Sequence, residues 1–155
     1  MPVASQPPRN DRKLSNFLCF AVYSANLAFG RVYKPILDKL GISYTQYIAL
    51  VALGEEDDQT VGALGEKLFL ESNTLTPILK KLETLGHIER RRDPADERQV
   101  RVSLTPAGRR LLETDLSASL LAATGLGGDF GAVQKAVTRL RDNLLRAADT
   151  DAKKS

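Results

Sequence analysis

The stretch SNTLTPILKKLETLGHIERRRDPADERQVRVSLTP, residues 72–106, decides how this chain folds. In its first half Leu75, Ile78, Leu79, Leu82 and Leu85 recur at helical spacing, and Gly86 is a natural C-terminal stop. Ser72 is placed to cap that helix. The second half has a different rhythm. Ile88 to Arg92 reads as a strand and Asp93 to Arg98 as a loop. Val100, Val102 and Leu104 then alternate with Gln99, Arg101 and Ser103, a period of two. A helix followed at once by a β-hairpin is the result. Thr105-Pro106 starts the next helix, a cap residue followed by proline at the first helical position.

Upstream, Thr60 is placed to cap a short helix whose Val61, Leu64 and Leu68 face inward. Two short helices joined by a tight turn have helix-turn-helix spacing, and the hairpin behind them is a wing. Ser43 caps an earlier helix carrying Tyr47, Ile48, Leu50, Val51 and Leu53, which ends at Gly54 and the acidic loop Glu55 to Asp58. That loop lacks calcium-loop spacing and is given no role. A longer helical pattern places Leu14, Phe17, Leu18, Ala21, Ala25, Ala28 and Val32 on one stripe, with a break expected near Leu40–Gly41. Downstream, a helix is expected from Pro106 to about Ala123, broken by Gly125, Gly127 and Gly128. A last helix follows over Ala132 to Ala147. Residues 1–13 and 149–155 read as polar tails. The fold class is mainly α with a small β-hairpin wing. A winged helix-turn-helix at 43–105 is flanked by helical regions at 14–40 and 106–148.

Composition narrows the function classes. The chain has 155 residues and is 43% hydrophobic, enough for a real core. Its formal net charge of +3 permits a nucleic-acid partner without demanding one. It has no run of about 18 apolar residues, so no membrane span is expected. The polar, proline-containing N-terminus has no signal-peptide core, so the expected location is the cytoplasm. One cysteine makes no internal disulfide, and one cysteine with one histidine builds no zinc site. No metal or cofactor is expected.

Where the charge sits is more informative than its total. Away from the leucine stripe, the helix from Ser72 carries Asn73, Thr74, Thr76, Pro77, Lys80, Lys81 and Thr84. Short hydrogen-bonding groups with two lysines suit base edges and phosphates in a major groove. Pro77 removes one ladder bond, at a usual cost of ~3 kcal/mol, but only early in the helix. In the hairpin Arg90, Arg91, Arg92, Arg98 and Arg101 cluster, with Arg98 beside Asp96 at the loop tip. Such charges neutralise phosphates, and an arginine at a wing tip suits a narrow minor groove. Either feature alone is equally a solvated surface, the tip being an Asp96–Arg98 ion pair. Together they point to duplex DNA.

Cys19 carries two readings. A lone cysteine inside a cell is commonly an inert small hydrophobe. Here it lies off the apolar stripe and shares its side with Tyr23 and Asn26, and no cation lies near it along the helix.

The hairpin segment Asp96-Glu97-Arg98, the following Val100 to Gly108 and the preceding Leu79 to Gly86 resemble the MarR family of winged-helix regulators. The resemblance covers about Leu14 to Leu145. Leu18 to Tyr23, Tyr33 to Gly41, Tyr44 to Tyr47 and Leu68 to Pro77 further resemble its organic-hydroperoxide-sensing (OhrR-type) branch. The resemblance implies a homodimer whose terminal helical regions form the interface. It implies a double-stranded operator with an inverted repeat, a recognition helix in each major groove and a wing in the flanking minor groove. It also makes Cys19 the redox sensor, oxidised by organic hydroperoxides, with Tyr33 and Tyr44 bonding its sulfur across the interface and Tyr23 nearby. Asn73 stands where the branch usually has glycine, and Thr45 where it often has proline. Without a second cysteine the chain resembles the one-cysteine type. Its sulfenic acid would therefore react with a small thiol or overoxidise.

Three other readings stay open. A phenolic or aromatic ligand bound non-covalently near Tyr23, Tyr33 and Tyr44 would release DNA with Cys19 incidental. A thiol peroxidase would use Cys19 in turnover, although no resolving cysteine is present, and the chain is not expected to be an enzyme. A purely architectural DNA-binding dimer would ignore oxidants. His87, at the exit of the recognition helix, is read as structural.

Overall fold

The computed structural model describes residues 13–154. They fall into two compact units divided between Thr114 and Asp115. In the first, a single 3-10 turn at Leu14–Asn16 leads into α1 (Leu18–Leu40), and α2 spans Tyr44–Glu55. Next come β1 (Gln59–Thr60), α3 (Val61–Leu68), α4 (Ser72–Thr84), β2 (Ile88–Arg92), β3 (Val100–Leu104) and α5 (Pro106–Leu111). The second unit holds α6 (Ser117–Thr124), a 3-10 turn at Gly127–Asp129 and α7 (Phe130–Ala152). No helix among the described residues is long and apolar enough to cross a membrane.

Local chemistry explains most boundaries. α1 runs through Pro35 and stops at Gly41, whose φ of 72° is a left-handed cap. Ser43 caps α2 in a reciprocal box: its hydroxyl accepts the Gln46 N–H, and the Gln46 side chain accepts the Ser43 N–H. Thr60 and Thr105 accept from the N–H groups of Ala63 and Gly108, capping α3 and α5. The tight α3–α4 turn places Phe69 at φ 59°, and the Leu70 N–H donates back to the Gly65 carbonyl at 2.9 Å. A Cβ on Gly65 would come within 2.7 Å of the Leu70 carbonyl oxygen, so the turn requires glycine there.

The core of this unit is small and shared by every layer. Leu50 and Leu53 of α2, Leu64 of α3, Leu75, Leu79 and Leu82 of α4, Ile88 of β2 and Val102 of β3 are fully buried. Each such side chain stabilises by roughly 1.5–3 kcal/mol relative to exposure. Of the stripe expected on α4, Ile78 is half-buried and Leu85 lies exposed. The sheet is antiparallel with order β1-β3-β2, and Arg91 stands directly opposite Arg101.

The long N-terminal helix begins at Leu18 rather than near Leu14, and other points also differ from expectation. Ser72 does not cap α4. Glu71 is the cap residue, through its carbonyl alone, and Ser72 is the first helical residue. The two-residue β1 was not anticipated, because only its pairing with β3 makes it a strand. The helix expected from Pro106 to Ala123 is split, with a turn after Leu111. Asp115 accepts the Ser117 N–H and hydroxyl, so side chains compete with the ladder there. α7 begins at Phe130 rather than Ala132 and stays helical to Ala152, beyond Ala147 and into the expected tail. The N-terminal tail lies outside the described residues except for Lys13.

Candidate functional site

The helix-turn-helix presents the outer face of α4. Ser72, Asn73, Thr74, Pro77, Lys80 and Lys81 are exposed and Thr76 is half-buried. The Thr76 hydroxyl donates to the Ser72 carbonyl at 2.7 Å and helps hold the first turn that Pro77 weakens. Neither Lys80 nor Lys81 forms an ion pair among the described residues. A cavity of about 290 Å³ opens between the start of α3, the start of α4 and the wing, lined by Thr60, Gly62, Ser72, Thr76, Arg98 and Gln99. Recognition helix and wing loop therefore meet at one surface.

The wing's arginines prove to have different surroundings. Arg90 is clamped to α4, with its backbone N–H and guanidinium both donating to Glu83 at 2.9–3.3 Å. These bonds hold the Glu83 carboxyl below its ordinary value. Arg92 donates to the Glu97 carbonyl at 2.8 Å and forms no ion pair among the described residues. Arg98 stands at the tip, its side chain 90% exposed, oriented by Asp96 at 3.0 Å. Asp96 also accepts the Arg98 N–H, and both bonds depress its pKa. Arg91 and Arg101 both reach Asp58, at 3.0 and 3.1 Å. Hydrogen bonding from Arg101 is the main reason the Asp58 carboxyl is depressed. Asp57 accepts the Leu104 N–H at 2.9 Å and pairs with Arg109.

Asp57 and Asp58 are thus structural anchors of the wing, a role the sequence reading missed. The available signal was the register of the hairpin. Two arginines facing each other need a counter-charge.

His87 leaves its Nδ1 buried without a hydrogen-bond partner among the described residues. Its backbone carbonyl accepts the Thr105 N–H at 3.1 Å, and a Cβ on Gly108 would collide with that carbonyl. The backbone around His87 therefore carries the close approach of α5.

Cys19 stands one residue into α1 and is exposed. Leu14, Phe17, Phe20 and Tyr23 surround it, around an apolar opening of about 420 Å³. Tyr33 lies fourteen residues further along the same helix, roughly 21 Å away at 1.5 Å per residue. It stacks on Tyr44 of α2, ring centroids 4.5 Å apart, and on Phe29 at 5.9 Å. Burial, and then the neighbouring Tyr44, push the Tyr33 phenol up to about 12. Beside this stack Lys34, Ser43, Gln46 and Lys81 help line a second cavity of about 440 Å³. Within one chain the structure joins Cys19 to Tyr23, and Tyr33 to Tyr44, but not the two pairs to each other.

Comparison with known proteins gives one consistent picture. The family model for the transcriptional regulators SarA/Rot matches residues 31–114. TtmR, a regulator of Methylorubrum extorquens, is 50% identical over 110 residues, covering 70% of this chain and 56% of TtmR. The chain thus spans little more than half the length of that relative. The organic hydroperoxide resistance transcriptional regulator of Bacillus subtilis is 44% identical over 119 residues, covering 76% of this chain and 81% of that protein. Among solved structures, reduced AbfR bound to DNA superposes with a TM-score of 0.71 at 33% identity, covering 87% of this chain and 96% of that one. AbfR comes from Staphylococcus epidermidis and has also been solved overoxidised on DNA and in a disulfide form.

Proposed function

The chain belongs to the MarR family of winged-helix transcriptional regulators, in the branch of the organic hydroperoxide resistance regulator and AbfR. From that premise we propose that it is a dimeric DNA-binding repressor, not an enzyme, that senses organic hydroperoxides through Cys19 and works in the cytoplasm.

One observation carries the sensing half. Cys19 is exposed in an apolar setting, and Tyr33, stacked on Tyr44 of α2, sits about 21 Å further along the same helix. A second copy packed antiparallel along α1 would bring its Tyr33 and Tyr44 to this Cys19. The exposed apolar residues of that helix, among them Leu18, Val22, Leu27 and Phe29, would supply surface for such a dimer. A phenol that stays protonated, as Tyr33 does well past neutral pH, donates a hydrogen bond to a thiolate.

The Cys19 thiolate attacks the terminal oxygen of ROOH and the O–O bond breaks. The products are Cys19 sulfenic acid and the alcohol ROH, whose oxygen takes up a proton. A small thiol next attacks the sulfenic sulfur, forming a mixed disulfide and releasing water. Reduced and overoxidised AbfR have both been solved on DNA, so we assign release to the bulkier mixed disulfide. Its added volume at the dimer interface favours a spacing of the two α4 helices that no longer matches the operator half-sites. A coupling of ~3 kcal/mol loosens DNA by about 150-fold.

For the DNA half, α4 would enter the major groove through Ser72, Asn73, Thr74, Thr76 and Pro77. Lys80, Lys81, Arg92 and Arg98 would meet phosphates or the minor groove, with Arg98 aimed by Asp96. The operator would be an inverted repeat.

The experiment is binding of the purified protein to its own upstream DNA before and after one equivalent of cumene hydroperoxide, with cysteine present as the thiol. Wild type should release DNA and Cys19→Ser should stay bound. Retention by both would discard the thiol switch. The cavity beside Tyr33, Tyr44, Lys34 and Lys81 supports a second reading, an aromatic carboxylate acting without oxidation, and under it Cys19→Ser would still respond to that ligand.

A further inference from the structure

The wing holds a charge arrangement that DNA contact alone does not require. Cross-strand register sets Arg91 opposite Arg101, and like charges in that position destabilise a hairpin. Asp58 reaches in from the α2–β1 loop and bridges them. Its Oδ1 accepts from Arg91 Nη2 at 3.0 Å and from Arg101 Nε at 3.1 Å. Its backbone carbonyl accepts Arg101 Nη2 at 2.6 Å. The Ser103 hydroxyl donates to the same Oδ1 at 3.4 Å, and Asp93 gives Arg101 a second carboxylate at 3.3 Å. Arg91 keeps a side chain 55% exposed, so the solvent face of this guanidinium still looks outward.

A guanidinium held by a carboxylate contributes little net charge to a phosphate backbone. Sequence-independent affinity for DNA scales with the number of phosphates neutralised, each adding about 0.9 to the slope of log K against log salt. We propose that Asp58 is a specificity-determining residue of the DNA interface: it withholds Arg91 and Arg101 from phosphates. Non-specific attraction is then left chiefly to Lys80, Lys81 and Arg92, none of which pairs with a carboxylate among the described residues. The proposal rests on the DNA-binding reading above. Its role is one of positioning, since Asp58 acts through the two arginines.

The backbone permits a clean test. Asp58 sits at φ 55°, a left-handed conformation that asparagine and glycine tolerate. Asp58→Asn and Asp58→Gly therefore remove the charge without adding strain. Binding to a random-sequence duplex and to the operator is measured by fluorescence anisotropy between 50 and 200 mM salt. Both variants should bind the random duplex more tightly than wild type. Their salt slopes should steepen by about 0.9 for Arg91, whose carboxylate partner is Asp58, while Arg101 keeps Asp93; one such contact adds roughly 3.5-fold to the affinity lost across that salt range. Arg91→Gln placed in the Asp58→Gly background should bring the slope back toward wild type, which a purely structural role would not do. Folded variants with the wild-type slope, or a shallower one, overturn the role of Asp58. Should the glycine variant fail to fold, Asp58→Asn alone decides. Wild-type protein that binds neither duplex would instead remove the DNA-binding reading itself.

Discussion

The wing and the first half of α1 are built in opposite ways. In the wing, four of the five arginines already have a carboxylate from the same chain: Glu83, Asp58, Asp93 or Asp96. Ile88 and Val102 anchor its strands in the core. On α1, Leu18, Val22, Tyr23 and Leu27 are exposed, and only Leu37, near the far end, is buried. A surface whose charges are paired at home has its arginines placed before any partner arrives. A helix whose apolar face has no cover among the described residues suits packing against another copy. Under the proposed function the contrast separates reader from sensor: one would be complete within a chain, and the other shared between two.

Substitutions on the two sides should therefore fail differently. Leu18→Asp puts a charge into the face of α1 that a second copy would cover. It should yield a folded monomer by sedimentation and lower operator affinity by about 10²–10⁴-fold, because two linked half-site contacts become one. Unfolding of residues 13–114 by this change would break the comparison. Leu79→Ala on α4 removes a fully buried side chain from the shared core. Urea unfolding should show a loss of roughly 2–5 kcal/mol while the surviving folded protein remains dimeric.

The smallest effect concerns acid. Glu83, Asp58 and Asp96 all have carboxyls held below their ordinary values by arginine. A depressed folded-state pKa contributes stability that is complete above the unfolded value. It is lost as pH falls through the folded one. The wing should accordingly hold to about pH 5 and loosen below about pH 4. The loss should be modest and weaker in high salt, because these pairs are exposed. Thermal melts across pH 3–6 would show it, and Asp58→Asn should flatten the acid limb. A melt that does not change over that range would mean the pairs add nothing to the wing.

Local signals explain what could be read beforehand. Ser43, Thr60 and Thr105 cap through their own side chains, Gly41 and Gly86 take positive φ, and the alternation at 100–104 sets strand faces. Each of these depends on a few adjacent residues. What escaped depends on distant ones. β1 is a strand only because Gln59 and Thr60 find Val102 and Arg101. Asp57 and Asp58 looked like a solvated loop because their partners lie 33 to 52 positions along the chain. The break after Leu111 turns on Asp115 outcompeting a helical ladder that spacing alone favours. Cys19 and the tyrosines proposed to serve it are legible only as residue types. Only the helix geometry makes their separation within one chain measurable.

The most direct test of a thiol switch shared between two copies uses mixed dimers. In one, a Cys19→Ser chain pairs with a chain carrying Tyr33→Phe and Tyr44→Phe, so one Cys19 faces intact tyrosines of the other copy. In the other, all three substitutions sit on a single chain paired with wild type, so the remaining Cys19 faces only phenylalanines. Oxidation of Cys19 by cumene hydroperoxide is followed by intact-protein mass. The first dimer should oxidise its remaining cysteine at the wild-type rate, and the second about tenfold or more slowly if the phenols stabilise the thiolate by ~1.4 kcal/mol. Equal rates in both, or a faster second dimer, would contradict a sensor completed by the second copy.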